Sequence, residues 1–177
     1  LSKAKKVNFE FIDDITTEPY KILATAHKWH QDILGASIAL AWRVEQKPDK
    51  DGHVVLGKCL KVSDLYKEFA GYDFIIVLNR EVWDDPEFTE EKKLALLDHE
   101  LCHAAPQVDN EGEVYDERGR QVFRCRKHDI EEFYAVVRRH GCYKRDLELF
   151  AEEIKKKRAA PLFDAKETAA REARPVN

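Results

Sequence analysis

Residues 95–106 read ALLDHELCHAAP, and the reading of this stretch decides the rest. His99 and His103 stand four apart, with Glu100 directly after the first histidine. On a helix that spacing stacks two side chains on one face. His-Glu-x-x-His in that setting suits two imidazoles sharing one metal ion, with a carboxylate beside it as a base. With seven histidines in 177 residues, the pattern arises by chance in about 3 per cent of shuffled chains, so its context has to decide.

Working outward, Thr89 reads as an N-cap, and Glu90 and Glu91 suit the positive end of a helix dipole. The helix is expected to run on to Pro106, a natural stop. Leu94, Leu97 and Leu101 form an apolar face roughly opposite the two histidines, so the back packs while the imidazoles face a cleft. The bland alternative, two surface histidines on an amphipathic helix, leaves Glu100 without a purpose.

A zinc ion bound for catalysis takes three protein ligands and keeps one position for water. Downstream, RKHDIEEF (residues 126–133) offers His128, Glu131 and Glu132. His128 precedes Asp129, which with Glu132 forms a capping box for a helix over IEEFYAVVRRH. Glu131 and Glu132 fall one turn into that helix. The spacing favours His128 and leaves either glutamate open, because a carboxylate third ligand is also common.

The remaining elements interleave. VNFEFI (7–12) alternates as a short strand, and YKILATAHKWHQDI carries Ile22, Ala26, Trp29 and Ile33 on one helical stripe that Gly35 ends. SIALAWRV places Ile38, Leu40, Trp42 and Val44 on one face of a half-buried strand. HVVLGKCLKV is expected to return as the second strand of a hairpin after the turn KPDKDG. Ser63 caps a short helix ended by Gly71. YDFIIVLNR is apolar on both faces, hence a central or covered strand, and EVWDDPEF reads as a loop. Residues 107–120 read as a loop or hairpin tip, QVFRCR as a strand, and residues 144–160 as a last helix. The class is α+β, a small mixed or antiparallel sheet packed on the HExxH helix and further helices. Residues 1–160 read as one domain and 161–177 as a loosely held tail.

LLDHELCHA, RKHDIEEF and VVRRHG together resemble the metallopeptidases encoded by bacteriophages and prophages, over roughly residues 8–143 and including DFIIVLNREVW. HDIEEF is also similar to the His-Gly-x-x-Phe segment of SprT-like and Spartan-like proteases. That resemblance makes His128 the third zinc ligand beside His99 and His103. Asp129 stands where those families have glycine, and Phe133 is displaced by one. The resemblance implies a zincin-like fold, bound Zn2+ and a protein or peptide substrate laid along a sheet edge. It also implies a phage- or prophage-encoded protein acting in the bacterial cytoplasm. Glu100 is then the general base that takes a proton from a zinc-activated water and returns it to the leaving amine. Tyr115, Tyr134 and His140 are candidates for the oxyanion partner. The sequence does not single out an edge strand.

Other residues carry weaker readings. Cys102 is expected to be a packed, reduced thiol, and Asp98 either a residue orienting a ligand or a solvated one. His27 and His30 read as a partly exposed pair. Cys125, His128, His140 and Cys142 could build a closed zinc site, although their spacing matches no standard ribbon. The four cysteines do not suggest a disulfide framework. A net charge of −4 gives no global signature for nucleic acid or anionic membrane. The basic run KKKR (155–158) keeps a nucleic-acid contact weakly open. The chain contains no membrane-spanning run and no signal-peptide core, so a cytoplasmic location is expected. The rival function is a non-catalytic, zinc-containing regulatory or binding protein of phage or prophage origin. Glu100 argues against it, because a purely structural site has no use for a base. The oligomeric state is not legible.

Overall fold

The computed structural model describes residues 8–50, 52–131 and 134–159. The chain divides into two compact units, Leu1–Lys127 and His128–Asn177.

The first unit is built on a four-stranded mixed sheet: β1 (Phe9–Ile12), β2 (Ile38–Arg43), β3 (Gly57–Lys61) and β4 (Phe74–Asn79). Their spatial order is β1-β2-β4-β3. β4 lies parallel to β2 and antiparallel to β3, and β1 is antiparallel to β2. The expected hairpin between SIALAWRV and HVVLGKCLKV therefore does not form, because β4 lies between the two strands. FIIVLN is apolar on both faces and gains most from a central position, where Phe74, Ile76 and Leu78 become fully buried. β2 is likewise covered on both sides at its centre, with Ala39, Leu40 and Ala41 all buried, so it is not the half-exposed strand its alternation suggested.

Helices α1 (Glu18–His27), α2 (Asp64–Ala70), α3 (Arg80–Trp83) and α4 (Glu90–Cys102) complete the scaffold. α1 and α4 pack together, and Ile22, Leu23 and Ala26 join Leu97, Leu101, Leu40 and Ile76 in one core. α1 stops at His27, well short of Gly35, and a single 3-10 turn follows at Gln31–Ile33. Trp29 consequently leaves the expected stripe and is 59% exposed. α2 begins at Ser63, whose hydroxyl accepts from Tyr66 N–H, and ends at Gly71 in the left-handed conformation (φ 75°) that glycine adopts without penalty. α3 falls where a loop was expected: the Asn79 side chain accepts from Val82 N–H and caps one helical turn.

α4 is shorter than the sequence suggested. Thr89 holds the N-cap backbone conformation but makes no side-chain cap, and the helix ends at Cys102 instead of Pro106. Ala104–Pro106 becomes a strand, β5, paired antiparallel with β8 (Phe123–Cys125). Proline biases the residue before it toward extended backbone, and the ladder to β8 supplies the hydrogen bonds that another helical turn would have made. A small hairpin of β6 (Val108–Asp109) and β7 (Gly112–Glu113) lies between them.

The described residues of the second unit form helices α5 (Tyr134–His140) and α6 (Arg145–Ala159). Gly141 follows α5 with φ 66°, the expected stop. Glu132, Phe133 and the tail 161–177 lie outside the described residues, as does the capping box that Glu132 would complete.

Candidate metal centre

α4 is anchored by Leu96, Leu97 and Leu101, of which the last two are fully buried. Truncating either to alanine would cost about 2–5 kcal/mol. The helix is therefore fixed in rotation, which determines where its polar residues point. The rings of His99 and His103 lie 5.1 Å apart, nearly perpendicular at 82°. His103 occupies the C-cap in helical conformation (φ −75°, ψ −22°), so the four-residue stagger survives although the helix proper has ended.

The tautomer of His103 follows from its neighbour. Its Nδ1 lies 2.9 Å from the carbonyl oxygen of Arg126. A carbonyl only accepts, so Nδ1 carries the proton and Nε2 holds the lone pair used for a metal. Arg126 also donates its backbone N–H to the His103 carbonyl at 2.8 Å, and its Nε to the Cys102 carbonyl. The chain beyond β8 is thus clasped to the end of α4. His128, two residues past Arg126, begins the second unit.

Glu100 is 3% exposed, although it belongs to the polar face of the motif. It lies against β3, where Gly57 lets it approach: a Cβ at position 57 would fall 2.7 Å from Glu100 Oε1. The backbone N–H of Cys59 donates to its carboxylate. In the β3–β4 ladder, Leu56 and Val62 exchange hydrogen bonds with β4 and its flank, so Gly57, Cys59 and Lys61 turn their backbone groups away from β4. β3 is an outer strand of the sheet, and the carboxylate sits on that outward side. Burial raises the pKa of Glu100, opposed by the neighbouring His103 and by the Cys59 N–H. A carboxylate whose charged form is opposed by desolvation and supported by one donor is a stronger proton acceptor than a solvated one.

The other sequence candidates fall elsewhere. Asp98 meets His30, whose Nε2 lies 2.7 Å from Asp98 Oδ1 and whose side chain is only 11% exposed. His27 and His30 are both partly exposed, as expected, but their rings have different partners, His27 reaching the Ile33 carbonyl. Cys102 is a free thiol, as expected, but an exposed one. Cys125 hydrogen-bonds the thiol of Cys59, and burial pushes the Cys59 pKa strongly up. Tyr115 donates to Glu113 at the surface. The Tyr134 side chain lies outside what is described, and His140 closes α5 in the second unit. Glu131 is exposed.

Sequence reading missed Gly57, Cys59, Arg126 and His30. Each acts through a partner remote in the chain, and no local pattern marks it.

An α+β scaffold thus presents HExxH at the end of a packed helix, with its glutamate against an outer strand. The comparison with family models agrees: residues 10–156 match the family described as "Putative phage metallopeptidase", and the chain belongs to that family. No match was found among curated proteins or among solved structures. No helix among the described residues is long and apolar enough to cross a membrane.

Proposed function

We propose that this chain is a zinc-dependent peptidase in which His99, His103 and His128 hold the metal and Glu100 is the general base. The observation that carries the reading is the preset HExxH pair. The Arg126 carbonyl fixes the His103 tautomer so that Nε2 is the ligating atom, one turn from His99. The resemblance of HDIEEF to the SprT-like His-Gly-x-x-Phe segment favours His128 over Glu131 or Glu132 as the third ligand. Such an imidazole set suits zinc, which when bound would supply a Lewis acid and a water acidified to a pKa of about 7.

The protein's own groups do the rest. Glu100 accepts the proton of the attacking water and returns it to the leaving amine. Its Cys59 N–H contact and the close fit of Gly57 fix the carboxylate's position. On the outward edge of β3, beyond the Cys59 N–H that Glu100 takes, the Cys59 carbonyl and the Lys61 backbone groups are suited to hold an extended substrate as an added strand. The working domain on this reading runs to residue 160 and includes both units. Its substrate is a peptide or protein met in the cytoplasm of the bacterial host.

Two measurements test the proposal. His99→Ala, His103→Ala and His128→Ala should each lose most of about one bound zinc, since a three-ligand site fails when one arm goes. Full zinc in the first two variants would refute the site. Retention in His128→Ala with loss in Glu131→Ala or Glu132→Ala would move the third ligand to a carboxylate. Glu100→Gln should fold, keep its zinc and lose cleavage of unstructured protein substrates by at least ~10²-fold. Equal cleavage by parent and variant would remove Glu100 from its role.

A further inference from the structure

The motif helix carries a second donor pair at the same spacing. Asp98 and Cys102 are also four apart, one residue behind His99 and His103, and so turned by roughly 100° about the α4 axis. His30 faces them from the link between α1 and the 3-10 turn, with Nε2 2.7 Å from Asp98 Oδ1. One donor atom from each of His30, Asp98 and Cys102 lies within 4.8 Å of the other two. All three residues belong to the first unit.

We propose that His30, Asp98 and Cys102 form a second divalent-metal site, separate from the HExxH histidines and specific for a borderline transition metal of the zinc class. The donor chemistry selects the ion. Calcium and magnesium take oxygen ligands, whereas imidazole, carboxylate and thiolate together suit zinc, cobalt or cadmium. Bond lengths of about 2.0–2.3 Å to N, O and S put tetrahedral donors roughly 3.3–3.7 Å apart. The donors, all within 4.8 Å of one another, need to close by about an ångström to reach that spacing. The carboxylate and thiolate neutralise the dication, and a water completes the fourth position.

Geometry also argues against a plain ion pair as the whole account. His30 is brought to Asp98 across 68 positions of sequence and is mostly buried there, and the soft donor stands one helical turn beyond the carboxylate. Two donors on one rigid helix and a third on a neighbouring segment are the elements of a chelate. Occupancy would tie the link after α1 to α4, so metal should raise the melting temperature through this site as well as through the first.

The test uses the full-length chain, stripped of metal and titrated anaerobically with Co2+. The three-histidine set contains no sulfur, so a near-ultraviolet thiolate-to-cobalt charge-transfer band reports the second site alone. The expected result is uptake of about two equivalents, with the band saturating at about one. Cys102→Ser should remove the band and one equivalent while leaving the weak visible bands of the histidine site. His30→Ala and Asp98→Ala should each weaken cobalt binding at this site by about tenfold or more. As a second readout, one equivalent of Zn2+ beyond the first should protect Cys102 from alkylation. A parent without the charge-transfer band overturns the proposal, as does a band that survives Cys102→Ser. Unchanged uptake in both His30→Ala and Asp98→Ala overturns it equally.

Discussion

Two glutamates of the first unit sit in opposite surroundings. Glu100 is enclosed between α4 and β3, where burial raises its pKa against the neighbouring His103 and the single Cys59 N–H. Glu68, on α2, accepts from Arg120 Nη2 and Arg118 Nη1 at 2.6 Å each, and these contacts hold its pKa below the ordinary value. It lines an open cleft of about 470 Å³ with Lys61, Asp73 and Asp116. Arg120 is shared with Asp116, which makes the cluster a small surface network. The same side chain thus serves two purposes. A carboxylate with few donors in a dry site can take up and release a proton, whereas one clamped by two guanidiniums stays ionised and fixes a loop.

Breaking that contrast gives predictions of falling size. The largest is in activity: Glu100→Gln should cost at least ~10²-fold, while Glu68→Gln should stay within about twofold of the parent. Comparable losses from both would mean that the cleft at Glu68 participates in turnover.

Next comes Gly57→Ala. The new methyl meets Glu100 Oε1 at 2.7 Å and its Cγ and Cδ at 3.1 Å, so the carboxylate has to leave its seat beside β3. We expect activity to fall by about tenfold or more with metal retained, and a stability loss of about 1–3 kcal/mol, the ordinary range for overpacking. Unchanged kcat/KM would show that the buried position of Glu100 is not the working one.

A smaller effect is expected on stability alone. In metal-free protein at neutral pH, Glu100→Gln replaces a buried charge by a neutral amide that still accepts from Cys59, so its urea midpoint should rise. A lower midpoint would mean that the carboxylate has stronger partners than the Cys59 N–H.

The smallest is electrostatic. Because folding lowers the pKa of Glu68, its contribution to stability is present above the unfolded-state value near 4.5 and is lost as pH falls through the folded value. Glu68→Gln should therefore lower the denaturation midpoint slightly at pH 7, less at high salt, and not at all in strong acid. A difference that grows toward acid would contradict the assigned direction.

The residues themselves show how much was legible in advance. The HExxH helix and its buried back could be read because a spacing of four and the apolar positions Leu97 and Leu101 are local features of one helix. The Ser63 cap and the central place of FIIVLN were legible for the same reason: each depends on backbone chemistry or apolar content within a few residues. The helix ends were less so, since α1 and α4 both stop early where other contacts compete for their last turns. At Ala104–Pro106 the competitor is β8, which no window around the motif contains.

By itself, then, the sequence determined an α+β chain with an HExxH helix, the identity of His99, Glu100 and His103, and the resemblance that the family match to residues 10–156 upholds. Only the tertiary structure decided that β4 separates β2 from β3, that Glu100 is buried against Gly57 and Cys59, that Arg126 sets the tautomer of His103, and that His30 meets Asp98. The division has a physical reason. Helical periodicity and capping are fixed by neighbours along the chain, whereas strand order, desolvation and the partner of a ring nitrogen depend on segments tens of residues away, whose meeting is settled by packing of the whole core.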